Sequence, residues 1–473
     1  MTQHKIHVDF PGRIVIVGFG SIGQGVLPLI LRHIGSVKPE RITIITADDA
    51  GKAIAQKHGI KFLNQPLTRD NYKRVLDPLV GRGDFLLNVS VDVSSIALIK
   101  LCWDKGALYL DTCIEPWPGG YTDPTIPVSR RTNYALREEA LQLRSGNARA
   151  PTAVLTHGAN PGLVSHFVKQ AMMNIARDAG VDPGDPSTRE EWGKLAHKLN
   201  VSVVHIAERD TQISSKPKEL DEFVNTWSVD GFVSEGAQPA ELGWGSHERN
   251  FPRDGSRHDF GCQAAIYLNQ PGAATRVRTW TPQAGRFHGF LITHGESISI
   301  ADYFTVRDGM NVSYRPTVHY AYHPCDNAVL SVHEFAGKNW RLQDRKRIMM
   351  EDILPKGVDE LGVLLAGHKK NAYWYGSQLS IDEARQLAPY NNATSLQVTV
   401  ACLSGMIWAI ENPSRGLTEP DEMDYKRNLE ICMPYLGPVT GAYTDWNPLF
   451  DRERLFQEDL DKSDPWQFKN VRV

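Results

Sequence analysis

Apolar and polar positions follow two alternating periods over the first third of the chain. Short β-branched runs recur at residues 14–17, 41–46, 61–63, 84–89, 107–112 and 152–156. Between them lie stretches with helical spacing at 26–34, 50–57, 71–80, 94–105 and 134–145. Strands alternating with helices predict an α/β fold with a doubly wound parallel sheet of Rossmann type. After Gly162 the pattern changes. A helix over 163–178 leads into a polar stretch at 179–189. Segments rich in β-branched and aromatic residues follow at 201–206, 274–280, 289–292, 297–304 and 318–322, with few helices between them. They predict a second, α+β domain built on a mainly antiparallel sheet. Residues 395–412 are apolar with almost no charge, the pattern of a core helix, here one that returns to the first domain.

The first strand runs into Gly18-Phe19-Gly20-Ser21-Ile22-Gly23, and a helix follows. Strand, glycine turn and helix in that order form the dinucleotide-binding fingerprint. Gly18 allows the tight turn, Gly20 lets backbone approach a pyrophosphate, and Gly23 lets the helix pack on the strand. Ser21 and Ile22 open the helix, where free N–H groups and the positive dipole end face the phosphates. Asp48 ends the second strand, in the place that reads ribose hydroxyls, with Asp49 as its competitor. A carboxylate there would repel a 2′-phosphate, which favours NAD.

Three further strand ends carry polar groups: Asn88 to Asp92 (with Ser90), Asp111 to Glu115 (with Thr112), and His157 to Gly162 (with Asn160). Carboxyl ends of parallel strands form the ligand crevice, so these positions are expected to face cofactor or substrate. Asn160 before Pro161 also reads as an N-cap with proline in the first helical turn. The second domain offers three clusters: His205 to Gln212 with Glu208 and Asp210, Asn225 to Glu235 with Trp227, and His294-Gly295-Glu296. Acids beside an indole face suit a cation.

Composition narrows the classes. Of 473 residues 41% are hydrophobic and 23% charged, and the formal net charge is −3, so no basic footprint for nucleic acid exists. No apolar run approaches the ~20 residues that span a bilayer, and residues 1–10 lack the apolar core of a signal peptide. The six cysteines are scattered without a C-x-x-C pair, which argues against disulfides and a zinc site and for a reducing, cytoplasmic location. Neither H-E-x-x-H nor G-x-S-x-G occurs, so neither a metal nor a serine nucleophile is expected.

The glycine loop, the His157–Gly162 turn, the His205–Gln212 block, the Trp227–Glu235 block and the long helix after Asn392, in this order, resemble the bacterial homospermidine synthases of the saccharopine-dehydrogenase-like group. The resemblance runs over nearly the whole chain. It implies NAD, a homodimer, and a transferase of polyamine biosynthesis joining two molecules of putrescine, or a related diamine, into sym-homospermidine and ammonia. On that basis Glu235 and Trp227 form the substrate-cation site. Asp92 and Glu115 hold the remote ammonium or the nicotinamide ribose. Asn160 bonds the nicotinamide side or the substrate nitrogen. An alkylammonium must lose a proton before it can give up hydride, and Glu208, Asp210, His294 and Glu296 are the candidate bases. The implied division is 1–156 plus about 393–430 as a discontinuous NAD-binding domain, 157–392 as a substrate and dimerisation domain, and 431–473 as an extension packing on the body. Two rivals remain at this level: a reductive-condensation dehydrogenase making a carboxylated amine, which needs arginines where these blocks carry only Arg209, and a non-catalytic NAD-binding protein.

Overall fold

The computed structural model describes residues 4–473. Residues 1–3, part of the segment 1–10 that lacks a signal-peptide core, lie outside the described residues. Among the described residues seven parallel strands form the first sheet, in the order Leu417–Thr418, Ala153–Val154, Leu108–Asp111, Phe85–Asn88, Ile14–Val17, Ile42–Thr46, Lys61–Asn64. Every residue of Ile14–Val17, Phe85–Asn88 and Leu108–Asp111 is buried. That is why these strands read as continuous apolar runs rather than alternating ones. The winding reverses between Ile14–Val17 and Phe85–Asn88, and a crevice opens at their carboxyl ends.

The second sheet has ten strands among the described residues. Its centre is Val203–Asp210, parallel to Thr317–His323 on one side and antiparallel to Val358–His368 on the other. The remaining pairings in this sheet are antiparallel. Val439–Thr444 adds to Asn371–Ser380 at one edge. Near the carboxyl end, Arg472 grips Asp254 with two hydrogen bonds of 2.6 and 2.8 Å, and Phe468 packs against Trp244.

Helix Ala393–Glu411 runs between the two sheets. It packs on helix Ser21–His33 and strand Leu108–Asp111, and on Val358–His368 and Asn371–Ser380. Sixteen of its 19 residues are buried. At Gly405 the helix lies close against the first sheet: a Cβ there would lie 2.6 Å from the Leu110 side chain and 3.0 Å from the His157 ring. The helix is long and apolar enough to cross a membrane by length and composition, contrary to the sequence expectation, but 89% of its apolar window is buried inside the protein.

Other expectations fail for identifiable reasons. Residues 297–304 are not a strand; Gly295–Tyr303 is an α-helix. Eight of its nine residues are buried, so no polar stripe reveals the helical period, and Ser-Ile-Ser-Ile imitates strand alternation. Val229–Ala237, which begins within the Trp227 cluster to which the sequence assigns no element, is a helix started by the Ser228 hydroxyl, which accepts from the Gly231 N–H at 3.0 Å. Strands Val358–His368 and Asn371–Ser380 form a hairpin in a region for which the sequence pattern predicts no element. Asn160 does not cap a helix. The helix begins at Leu163 with Gly162 as its N-cap at φ +124°, where a Cβ would meet Gly158 O at 2.1 Å.

One buried cation ties the layers together. Arg137, on helix Asn133–Gln142, donates to Glu419 at 2.6 Å, Asp302 at 2.9 Å and Glu138 at 3.0 Å. Removing one partner of a buried ion pair costs about 3–5 kcal/mol because the other charge is stranded. Arg137→Met should therefore lower the urea midpoint of unfolding markedly. An unchanged midpoint would show that the network contributes nothing net.

Candidate active site

The crevice between the sheets' facing walls is a cleft of about 730 Å³. Gly18, Gly20, Ser21, Ile22, Asp48, Ser90 and Asp92 line its first-domain wall, and Ser228, Asp230 and Lys346 its second-domain wall. The glycine turn fits a dinucleotide. Gly18 has φ +87°, and a Cβ there would lie 2.7 Å from Ser90 N. A Cβ on Gly23 would lie 2.7 Å from Gly18 O, whereas one on Gly20 would meet nothing within 4 Å, so backbone can be approached there. The helix behind it starts with neither a side-chain cap bond nor an acid in its first turn. Its N-terminal N–H groups remain available to an anion. Asp48 stands in the cleft and accepts from Ala50 N at 2.9 Å, while Asp49 pairs with Lys52.

Beyond Asp92 the strand ends of the first domain meet the second. Asp92 N donates to Glu115 at 3.2 Å, and Cys113 Sγ lies 3.9 Å from Glu235 Oε1. Glu235 Oε2 accepts from His294 Nε2 at 2.8 Å, and His294 Nδ1 reaches Glu296 at 3.2 Å. A ring that donates from both nitrogens is imidazolium. Burial alone would push its pKa down, but the two glutamates outweigh burial and hold it well above the ordinary imidazole value. Burial pushes the Glu115 carboxyl well up, and the charges of Asp92 and Glu235 add to the rise. Asp92 is also raised, by burial and then by Asp230.

The imidazolium leans on the next part of the site. Its ring stacks on Tyr320 at 4.6 Å between centroids. Tyr320 donates to Glu208 Oε2 at 2.6 Å and Asn160 Nδ2 donates to the same oxygen at 2.8 Å. Burial lifts the Glu208 carboxyl to about 7, against the lowering effect of those two hydrogen bonds. Tyr322 stacks on Tyr320 at 5.2 Å and accepts from Trp227 Nε1 at 3.2 Å.

The structure thus brings Asp92, Glu115, Asn160, Glu208, Trp227, Glu235, His294 and Glu296 into one continuous region. Two expected residues stand apart. Asp210 accepts from Thr226 Oγ1, from Gln212 N and Nε2, and from Thr394 Oγ1 at 2.8–3.3 Å, so its oxygens are spent on tying helix Ala393–Glu411 to the segment before Trp227. Thr112 lies against Gly158, outside the cleft lining.

The family description "Saccharopine dehydrogenase NADP binding domain" matches residues 14–155, and "Saccharopine dehydrogenase C-terminal domain" matches 158–444. A homospermidine synthase of Blastochloris viridis is 56% identical over the full length of both chains. One of Mesorhizobium japonicum is 53% identical over 99% of this chain and 98% of its own. The chain belongs to the homospermidine synthase family. A crystal structure of the homospermidine synthase of Legionella pneumophila in complex with NAD superposes with a TM-score of 0.93 at 49% identity, covering 100% of this chain and 99% of that one.

Sequence reasoning missed Tyr320, Tyr322 and Asp359. The register explains why they belong: Tyr322 pairs with Glu208 and Asp359 with Asp210 across neighbouring strands. Residues opposite each other share a face of the sheet. Neither carboxyl oxygen of Asp359 has a protein hydrogen-bond partner. Burial, and then the charges of Glu208 and Asp210, push its carboxyl well above the carboxylate range. The signal that could have revealed it is the acid pair Asp359-Glu360 opening an otherwise apolar strand.

The imidazolium can be observed directly. In ¹⁵N-labelled protein at pH 7.5, the resonances lost in His294→Gln should show both ring nitrogens protonated. A neutral tautomer at that pH would contradict the two-donor geometry.

Proposed function

We propose that this protein condenses two molecules of putrescine into sym-homospermidine with release of ammonia, using NAD as its cofactor. One observation carries the reading. Glu235 and Glu296 flank one imidazolium that stacks on Tyr320, and Glu208, Glu115, Asp92, Tyr322 and Trp227 continue from it as one acidic and aromatic region in which, among the described residues, no guanidinium is bonded to the acids. Such a wall selects a ligand with ammonium ends. The names of the relatives and the NAD in the Legionella structure support it. A carboxylated amine would need a guanidinium. Arg209 donates to backbone oxygens of Asp210 and Pro324 and to Asp326 instead.

Bound NAD takes a hydride from the carbon beside the reacting nitrogen and returns it to the imine made with the second amine. An alkylammonium titrates near the lysine value of about 10.4 and must lose a proton first. We assign that proton to Glu208. Its value near 7 suits exchange at neutral pH, whereas His294 already holds its proton, Glu296 accepts from that imidazolium and Asp210 is saturated by hydrogen bonds. Asn160, on the same Glu208 oxygen, orients the reacting nitrogen. The cationic imine faces the Glu235 carboxylate and the Trp227 ring, whose negative charge and quadrupole stabilise it. As the second amine attacks, one C–N bond forms and another breaks, ammonia leaves, and no net oxidation results. Asp92 and Glu115 hold the remote ammonium. Asp48 reads the ribose hydroxyls, and Gly18, Gly20, Ser21, Ile22 and Ser90 frame the dinucleotide, with Gly23 letting the helix pack behind them.

The domain division proposed from the sequence gives the first wall of the cleft to residues 1–156 with 393–430 and the second to 157–392. A homodimer and a cytoplasmic location complete the reading; the six unpaired cysteines suit a reducing compartment.

With NAD far below the putrescine concentration, many turnovers should yield ammonia and triamine without net NADH. NADH accumulating in step with product would overturn the reading. Glu235→Gln should lower kcat by a factor on the order of 10² or more and leave NAD affinity nearly unchanged. The Glu208 base must be ionised to work, so kcat should rise as pH passes up through about 7. In Glu208→Gln that limb should vanish along with most activity, and a limb that persists would move the role elsewhere. Trp227→Phe should retain more activity than Trp227→Ala if the ring face matters. Equal losses would point to its hydrogen bond with Tyr322.

A further inference from the structure

The cleft has two walls of unlike charge chemistry. On the first-domain wall the ligands for a pyrophosphate are backbone N–H groups, and the charged side chains there are Asp48 and Asp92, both negative. Among the described residues a single cationic side chain lines the cleft, and it comes from the opposite wall: Lys346, on strand Arg345–Ile348. Its ammonium is held at 2.5 Å by Asp230, from the first turn of helix Val229–Ala237, which also lines the cleft. Both partners are about half exposed, 42% and 52%. An ion pair so open to water contributes little and exchanges partners readily.

A dinucleotide brings two negative phosphates into this space. Water leaves as it enters, and every charge interaction inside strengthens. The phosphates then compete with one carboxylate for Lys346, and Asp230 already shares its surroundings with Asp92. We infer that Lys346 is a pyrophosphate ligand delivered from the second domain, parked on Asp230 until the cofactor arrives. The ammonium then swings from the carboxylate to the phosphates. Because Lys346 and the glycine turn belong to opposite walls, the cofactor clamps the walls together, which slows its own release. The test needs no amine, so its outcome stands apart from the assignment of putrescine.

Measured by NADH fluorescence, Lys346→Gln should weaken NAD and NADH roughly tenfold, the loss of one charge-assisted hydrogen bond, with the change mainly in the release rate. Lys346→Arg should keep most of the affinity. Raising salt should weaken wild-type binding more steeply than that of Lys346→Gln, because one screened contact is already gone. Asp230→Asn is the decisive partner: it frees Lys346 and should leave affinity equal or tighter. Affinity of Lys346→Gln within about twofold of wild type would overturn the inference. So would equal weakening by both variants, which would mean that the pair merely braces the wall. Thermal melting of each apoprotein separates misfolding from lost contact, and Asp230→Asn retains its predicted direction even if Lys346→Gln folds poorly.

Discussion

The structure depends on negative charge held where water is scarce. Carboxylates are costly to bury without a partner, yet Glu115, Glu208, Glu235 and Glu296 are all buried around one site. The protein meets that cost in three ways. His294 gives up its neutrality and serves two glutamates at once. Glu296 also stands in the first turn of helix Gly295–Tyr303, where the backbone dipole favours an anion. Glu115 and Glu208 bind protons more tightly than free carboxylates do. What remains is a basin with an unmet demand for positive charge, and a diamine supplies it.

Positioning comes from a polar knot at the start of the central helix. Asn392 caps the helix and also donates to Thr226 O and Met349 O at 2.6 and 3.0 Å. Gln212 joins Ala393 N, Thr394 and Asp210. The residue after Thr226 is Trp227. The buried helix, the indole and the strand carrying Glu208 are therefore fixed by one set of hydrogen bonds, and a shift of the helix relative to either sheet would be felt at the site. A second brace lies behind His294: Glu241 accepts from Thr293 at 2.7 Å and from the first N–H groups of helix Asn133–Gln142.

The first domain was legible because its signals are local. Buried parallel strands are continuous apolar runs, and Gly18, Gly20 and Gly23 fall where strand turns into helix. The acids and Trp227 could be named as chemistry, but their grouping could not be read, since it rests on strand pairing between residues more than a hundred positions apart. Tyr320 reaches Glu208 across 112 residues, and Asp359 lies opposite Asp210. Gly295–Tyr303 was misread for the opposite reason: burial on all sides erased the periodicity that marks a helix. Asp210 looked like Glu208 in sequence and differs only in what surrounds it.

Strand Leu417–Thr418 completes the first sheet beside Ala153–Val154. Thr152 and Asn412, neighbours at that edge, are 260 residues apart in the chain. Ribosomes add roughly 5–20 residues per second, so tens of seconds separate the synthesis of the sixth strand from that of the seventh. Residues 393–411, the helix that packs on the first sheet, are also made within that interval. The last strand of the first sheet is thus made only after the whole second sheet except Val439–Thr444, so the first sheet cannot be completed before most of the second domain has been synthesised.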